Sequence, residues 1–235
     1  GDHYVINGTK NWVTNGINGD IVILFCMTEK SVGYKGISAF VVEKGTLGLS
    51  TGKKENKLGI RASDTCELYF ENCLIPCGNM IGEEGQGFKV AMKALGGGRI
   101  GIAAQALGLA RAALDASISY AKERKQFGKI IGEFGAIQNK LADMATEIDA
   151  ARMLVWRAAK LKDDGKNYYR ESSMAKLYAS STAMKAATEC VQIHGGYGYM
   201  QEYGVERLMR DAKITQIYEG TSEIQQLVIG RDLLK

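Results

Sequence analysis

Hydrophobic positions along this chain follow two different periods. Up to about residue 80 they come in short runs rich in β-branched and aromatic residues, separated by Gly, Asn or charged positions. That is the pattern of strands joined by turns. The runs stand at 3–6, 10–14, 21–28, 37–43, 47–51 and 67–74. Asn7-Gly8 reads as a hairpin turn, and Gly33 and the pair Gly45/Gly48 mark further turns. Pro76, the only proline, sits where a strand ends. A small antiparallel sheet domain, a partial β-barrel, is expected over residues 1–80.

From about Gly87 the period becomes helical. Residues 88–124 contain few breakers beyond the run Gly96, Gly97 and Gly98. Residues 134–164 carry Ile137, Leu141, Met144, Ile148, Ala151 and Val155 at three- and four-residue steps. Residues 169–194 form an Ala/Ser/Met-rich stretch that stops at Gly195-Gly196. A last helix is expected over 221–233, with Thr221 as its N-cap and Ile224, Leu227, Val228 and Leu234 on its apolar face. The expected fold class is α+β, with an antiparallel four-helix bundle over residues 81–235. The wide apolar stripes and many small residues predict self-association.

Composition narrows the field. The chain has 235 residues, 46% of them apolar, and a formal charge of +4 that is interspersed rather than blocked. This argues against a nucleic-acid partner, and no run is long enough to span a bilayer. A globular protein that is neither membrane-embedded nor bound to nucleic acid follows. The five cysteines, at 26, 66, 73, 77 and 190, lack paired spacing or nearby histidines, so neither a disulfide framework nor a zinc site is expected. Gly1 opens inside a strand-like pattern without an initiator Met or a signal sequence. The chain therefore reads as a fragment whose N-terminal part, with any targeting region, is missing.

The densest chemical signal is Glu219, set between Tyr218 and Gly220 just ahead of the last helix. A carboxylate on a glycine-flanked corner can be turned into a pocket, partly desolvated and fixed by rigid elements, as a general base requires. Read alone, a solvated acid in the first helical turn, favoured by the helix dipole, is the better reading.

Six motifs in order resolve that choice: Asn11-Trp-Val-Thr-Asn15, Gly59-Ile-Arg, Arg99-Ile-Gly-Ile-Ala-Ala-Gln-Ala-Leu-Gly108, Arg124-Lys-Gln-Phe-Gly128, Gln192-Ile-His-Gly-Gly-Tyr-Gly198 and Met209-Arg-Asp-Ala-Lys-Ile-Thr-Gln-Ile-Tyr-Glu-Gly-Thr221. With them the whole chain resembles the acyl-CoA dehydrogenase family, the short-chain (butyryl-type) members most of all. It matches the latter part of the middle β-domain and the C-terminal helical domain. The resemblance implies FAD-dependent α,β-dehydrogenation of a short-chain acyl-CoA. Glu219 would be the α-proton base, with its N–H helping to hold the thioester carbonyl. Electrons would pass to an electron-transferring flavoprotein, in a homotetramer built as a dimer of dimers, in a bacterial cytoplasm or mitochondrial matrix.

The same resemblance places Arg99 and Gly220 at the substrate. It places Trp12 and Thr14 beside the flavin ring, Arg124, Gln126 and Phe127 toward the adenine and pyrophosphate of FAD in a neighbouring subunit, and Gln192, Gly195 and Gly196 at the adenylate end. Thr221 and Glu223 would touch FAD next to the base. Core packing for Trp12, a solvated helix end for Arg124 and a plain helix cap for the glycines are the alternatives. Some branches of the family carry the base where Gly98 stands here, so the absence of a carboxylate there supports Glu219. Gly96 and Gly135 depart from the family, which usually has Asp and Gln at those positions. A catalytically silent scaffold is the competing reading, and an acyl-CoA oxidase a further one.

Overall fold

The computed structural model describes residues 1–235 and separates into two compact units, Gly1–Ala94 and Leu95–Lys235.

In the first unit, strand β1 (His3–Thr14) pairs antiparallel with β5 (Thr65–Pro76), which also pairs with the short β4 (Leu49–Thr51). Strands β2 (Ile21–Met27) and β3 (Ile37–Glu43) form a separate antiparallel pair. Their inward positions build one core: Leu24, Phe40, Val42, Cys66, Leu68, Phe70, Cys73 and Ile75 are all buried. Asn7-Gly8 is not a hairpin turn. It is a bulge inside β1, where the register with β5 slips between Ile6 and Gly8. The Asn7 carboxamide accepts the backbone N–H of Asn72 at 2.8 Å, and Asn72 has a φ of +48°. A cross-strand partner therefore takes the residue that would otherwise turn the chain back on itself.

β1 slips again between Lys10 and Val13, and Trp12 at that bulge has a φ of +59°. A bulge re-aims the side chain it carries: Trp12 stands 70% exposed, which excludes core packing within the unit. Asp64 ties the turn that follows, accepting from the Ile17 N–H at 2.9 Å and the Asn18 amide at 2.8 Å.

Helix α1 (Gly87–Glu123) crosses the division between the units, and α2 (Gly135–Asp163), α3 (Tyr169–His194), α4 (Val205–Thr215) and α5 (Ser222–Leu233) follow. Helix α4 is one helix more than the periodicity predicts, because its charged residues hide a short apolar face that buries only Val205 and Ala212 among its apolar positions. Ala103, Ala106, Ala110 and Ala113 on α1, and Ala175, Ala179, Ala183 and Ala187 on α3, are fully buried. Small side chains at helical spacing let the backbones approach closely. Helix α3 is the central element, and Ser173 and Ser180 on it bond back to the carbonyls of Tyr169 and Leu177, which satisfies hydroxyls that no solvent reaches.

The N-cap of α5 is Thr221, whose side chain accepts the Ile224 N–H. Its apolar face is a correction: Ile224, Leu227 and Leu234 are exposed, and the buried residue of α5 is Gln225. His194 packs as a helix-end residue, stacked on Tyr120 and bonded through Nδ1 to the Cys190 carbonyl at 2.8 Å.

Candidate active site

The loop between α4 and α5 is closed at its base by Ser222, whose N–H donates to the Gln216 carbonyl at 3.0 Å. Within it the chain turns a sharp corner: Glu219 has a φ of +55° and Gly220 of +89°. The left-handed region is costly for a residue with a Cβ, so the corner depends on what surrounds it. Tyr218 donates its hydroxyl to the Gln105 side chain on α1. Lys176 Nζ donates to the Gly220 carbonyl at 2.6 Å, and Gln225 Nε2 reaches the carbonyls of Glu219 and Gly220 at 3.1 and 2.9 Å. At residue 220 a Cβ would meet the Gln225 amide at 2.7 Å, so glycine is required for space as well as for φ.

The corner delivers the Glu219 carboxyl to α1. A Cβ built at Gly98 would lie 2.5 Å from Oε2 and 3.0 Å from Cδ. Glu219 thus occupies the volume that a side chain at position 98 would fill. Arg99, next along α1, is buried and bonds Ser173 through Nη1 at 3.3 Å, while its Nε has no partner. Desolvation raises the Glu219 carboxyl above the usual carboxylate range, against the opposing pull of the Arg99 and Lys176 cations. The same burial lowers Arg99. A half-buried carboxyl held off solvent beside a cation can take a proton from carbon more readily than a solvated one.

Position 96 is filled from elsewhere. A Cβ there would stand 2.6 Å from the ring of Tyr169, which stacks on Tyr168. Gly135, by contrast, has nothing near its missing side chain.

A second feature of the helical unit is a cavity of about 420 Å³ lined by Arg124, Gln126, Gly195 and Gly196 over an apolar floor that includes Tyr120, Ile131 and Ile193. The short strands β6 (Lys125–Gln126) and β7 (Lys129–Ile130) form a two-residue hairpin, with Phe127 and Gly128 both at positive φ. That mirror-image turn matches strand twist and leaves Phe127 92% exposed at its tip. Arg124 lies 5.0 Å over the Tyr197 ring. Gly195 caps α3 with a φ of +61°, its N–H returning to the Gln192 carbonyl. A cation, an amide, apolar side chains and bare backbone suit an aromatic base joined to a diphosphate. Gln192 is exposed on the last turn of α3.

Of the residues singled out from the sequence, the structure groups Glu219, Gly220, Arg99 and Thr221 in one place and Arg124, Gln126, Gly195 and Gly196 in another. Glu223 is exposed in the first turn of α5 and is held below the usual range by backbone and Thr221 hydrogen bonds. Trp12 and Thr14 belong to the other unit, on the same strand and both exposed. Lys176 and Gln225 escaped the sequence reading. Lys176 carries one detectable sign: it follows Ser172 and Ser173 and precedes Ala179 and Ser180 at helical spacing, so a lone cation falls on an otherwise small-residue face.

Residues 85–234 match the family model described as acyl-CoA dehydrogenase, C-terminal domain, and residues 1–73 match acyl-CoA dehydrogenase, middle domain. A short-chain specific acyl-CoA dehydrogenase of Clostridium acetobutylicum is 55% identical over all of this chain, which covers 62% of that protein. Butyryl-CoA dehydrogenase from Megasphaera elsdenii, a solved structure, superposes with a TM-score of 0.98 at 55% identity, covering 99% of this chain and 61% of the other. A chain from a structure described as an electron transferring flavoprotein of Acidaminococcus fermentans gives 0.99 at 54% identity, covering 100% and 62%. The chain thus spans about three fifths of the length of the relatives it matches.

Proposed function

The chain belongs to the acyl-CoA dehydrogenase family, and on that premise we propose that Glu219 is the base that removes the α-proton of a short-chain acyl-CoA thioester, as in butyryl-CoA. The observation that carries this is the Glu219 carboxyl lying against Gly98, desolvated and beside buried Arg99. In water the α-carbon acid is far weaker than a carboxylic acid, so a base with a raised pKa and fixed aim lowers the barrier. Arg99 and Lys176 keep the carboxyl ionised enough to accept the proton despite its burial.

FAD, when bound, supplies the acceptor for the hydride that leaves the β-carbon. Arg124, Gln126 and Phe127 would reach the adenine and diphosphate of the FAD in a neighbouring subunit, and Gln192, Gly195 and Gly196 would approach the adenylate end. Trp12 and Thr14 would serve its ring, with Thr221 and Glu223 nearby. The Arg124 guanidinium suits a diphosphate, and the paired glycines let it approach the backbone closely. An electron-transferring flavoprotein is the partner this reading assigns, within a homotetramer; the exposed apolar side chains of α5 support association.

The test is spectroscopic. Purified protein loaded with FAD should be yellow and should bleach on adding butyryl-CoA. Glu219→Gln should keep the colour and reduce the bleaching rate by at least about 10³-fold, the order expected on losing a general base. Near-native bleaching in that variant would remove Glu219 from the mechanism.

A further inference from the structure

Resting on the reading of Glu219 as the base, we propose that Lys176 and Gln225 form a buried clamp on the 219–220 corner, in which Lys176 is a positioning residue for the Glu219 carboxyl. Both side chains are fully buried, and each donates to this corner: Lys176 Nζ to the Gly220 carbonyl at 2.6 Å, and Gln225 Nε2 to the carbonyls of 219 and 220 at 3.1 and 2.9 Å. A non-glycine residue at φ +55° persists only where its surroundings over-determine it. Two elements approach from different directions, α3 with Lys176 and α5 with Gln225, and their grips meet on one carbonyl oxygen. The corner is therefore fixed relative to two helices at once.

Helix α3 gives Lys176 no anionic partner at the neighbouring core positions, which are Ser172, Ser173, Ala179 and Ser180. A buried ammonium needs a compensating acceptor or charge, and here the Gly220 carbonyl and the Glu219 carboxylate provide both. Burial and the Arg99 cation bring Lys176 down to about 8, so it is charged at neutral pH. The charged and titratable groups coupled to this cluster are Arg99 on α1, Tyr169 on α3, Asp211 on α4, Tyr218 in the loop and Glu223 on α5. Removing the Lys176 charge leaves desolvation of Glu219 opposed by Arg99 alone, which moves the Glu219 pKa up.

The FAD-loaded protein and its Lys176→Met, Lys176→Arg and Gln225→Met variants are mixed with butyryl-CoA across pH, and flavin reduction is followed by stopped flow. Lys176→Met should slow reduction at least about tenfold and move the acid-side midpoint up by about one pH unit, within the range for loss of a neighbouring charge. Lys176→Arg should restore the midpoint. Carbon-13 labelling of the glutamates gives a second readout: the Glu219 carboxyl signal, identified by its loss in Glu219→Gln, should titrate higher in Lys176→Met.

A native rate and native midpoint in Lys176→Met would overturn the clamp. If that variant does not fold, Gln225→Met decides: a slower rate at an unchanged midpoint supports the clamp, and a native rate overturns it. Failure of the underlying reading looks different, because turnover would then survive in Glu219→Gln itself.

Discussion

A Cβ at position 98 would stand 2.5 Å from the Glu219 carboxyl, and most of the site's logic at the residue scale follows from that distance. One volume serves two positions in the chain, and only one of them can put a carboxyl there. Gly98→Ala is the smallest change that contests the volume. It should push the Glu219 side chain aside and slow flavin reduction by butyryl-CoA by about 10²-fold, the order of loss for a misplacement of about 1 Å, while leaving FAD absorbance intact. Reduction at the native rate would show that the carboxyl does not work from this place. Glu219 and Arg99 were legible in the sequence because they sit inside contiguous motifs that carry the family resemblance, and Gly98 because it directly precedes one. Lys176 and Gln225 were not, since a Lys in one helix and a Gln in another gain meaning only when both carbonyls of a loop between them need donors.

At the scale of elements, local chemistry and long-range pairing divide the credit. Helices α2, α3 and α5 begin and end within a residue or so of where periodicity and caps placed them, because those signals are local. Thr221→Ala should destabilise α5 by about 1 kcal/mol, the usual cost of losing a side-chain N-cap. Thermal unfolding measures it, and an unchanged Tm would mean that the 3.4 Å contact to the Ile224 N–H contributes nothing. Asn7-Gly8 shows the opposite case. Its dipeptide has the chemistry of a hairpin, but β5 offers a strand long enough to pair on both sides of it, so the same residues become a bulge in β1. The Phe127-Gly128 turn, a true hairpin between β6 and β7, lacks the Asn or Asp that usually announces one.

At the scale of the whole molecule, the uncovered apolar residues of α5 call for a partner surface. Ile224, Leu227 and Leu233 are exposed on one short helix and Leu234 at its C-cap, more than scattered surface apolar residues explain. If these residues bury against a second copy, Leu227→Asp should shift sedimentation toward smaller species without reducing helix content by circular dichroism. An unchanged sedimentation coefficient would place any oligomer contact elsewhere. The α+β class and the division of labour between strands and helices were determined by the order of residues alone, because periodicity and capping act within a few turns of chain, and the choice of Glu219 as base candidate came from the family resemblance that its motif carries. Which polar groups became buried partners was decided only by tertiary structure. Burial of Lys176 and Gln225, the exposure of Trp12 and the closeness of Gly98 to Glu219 each depend on segments far apart in sequence meeting in space, and no short-range pattern encodes that meeting.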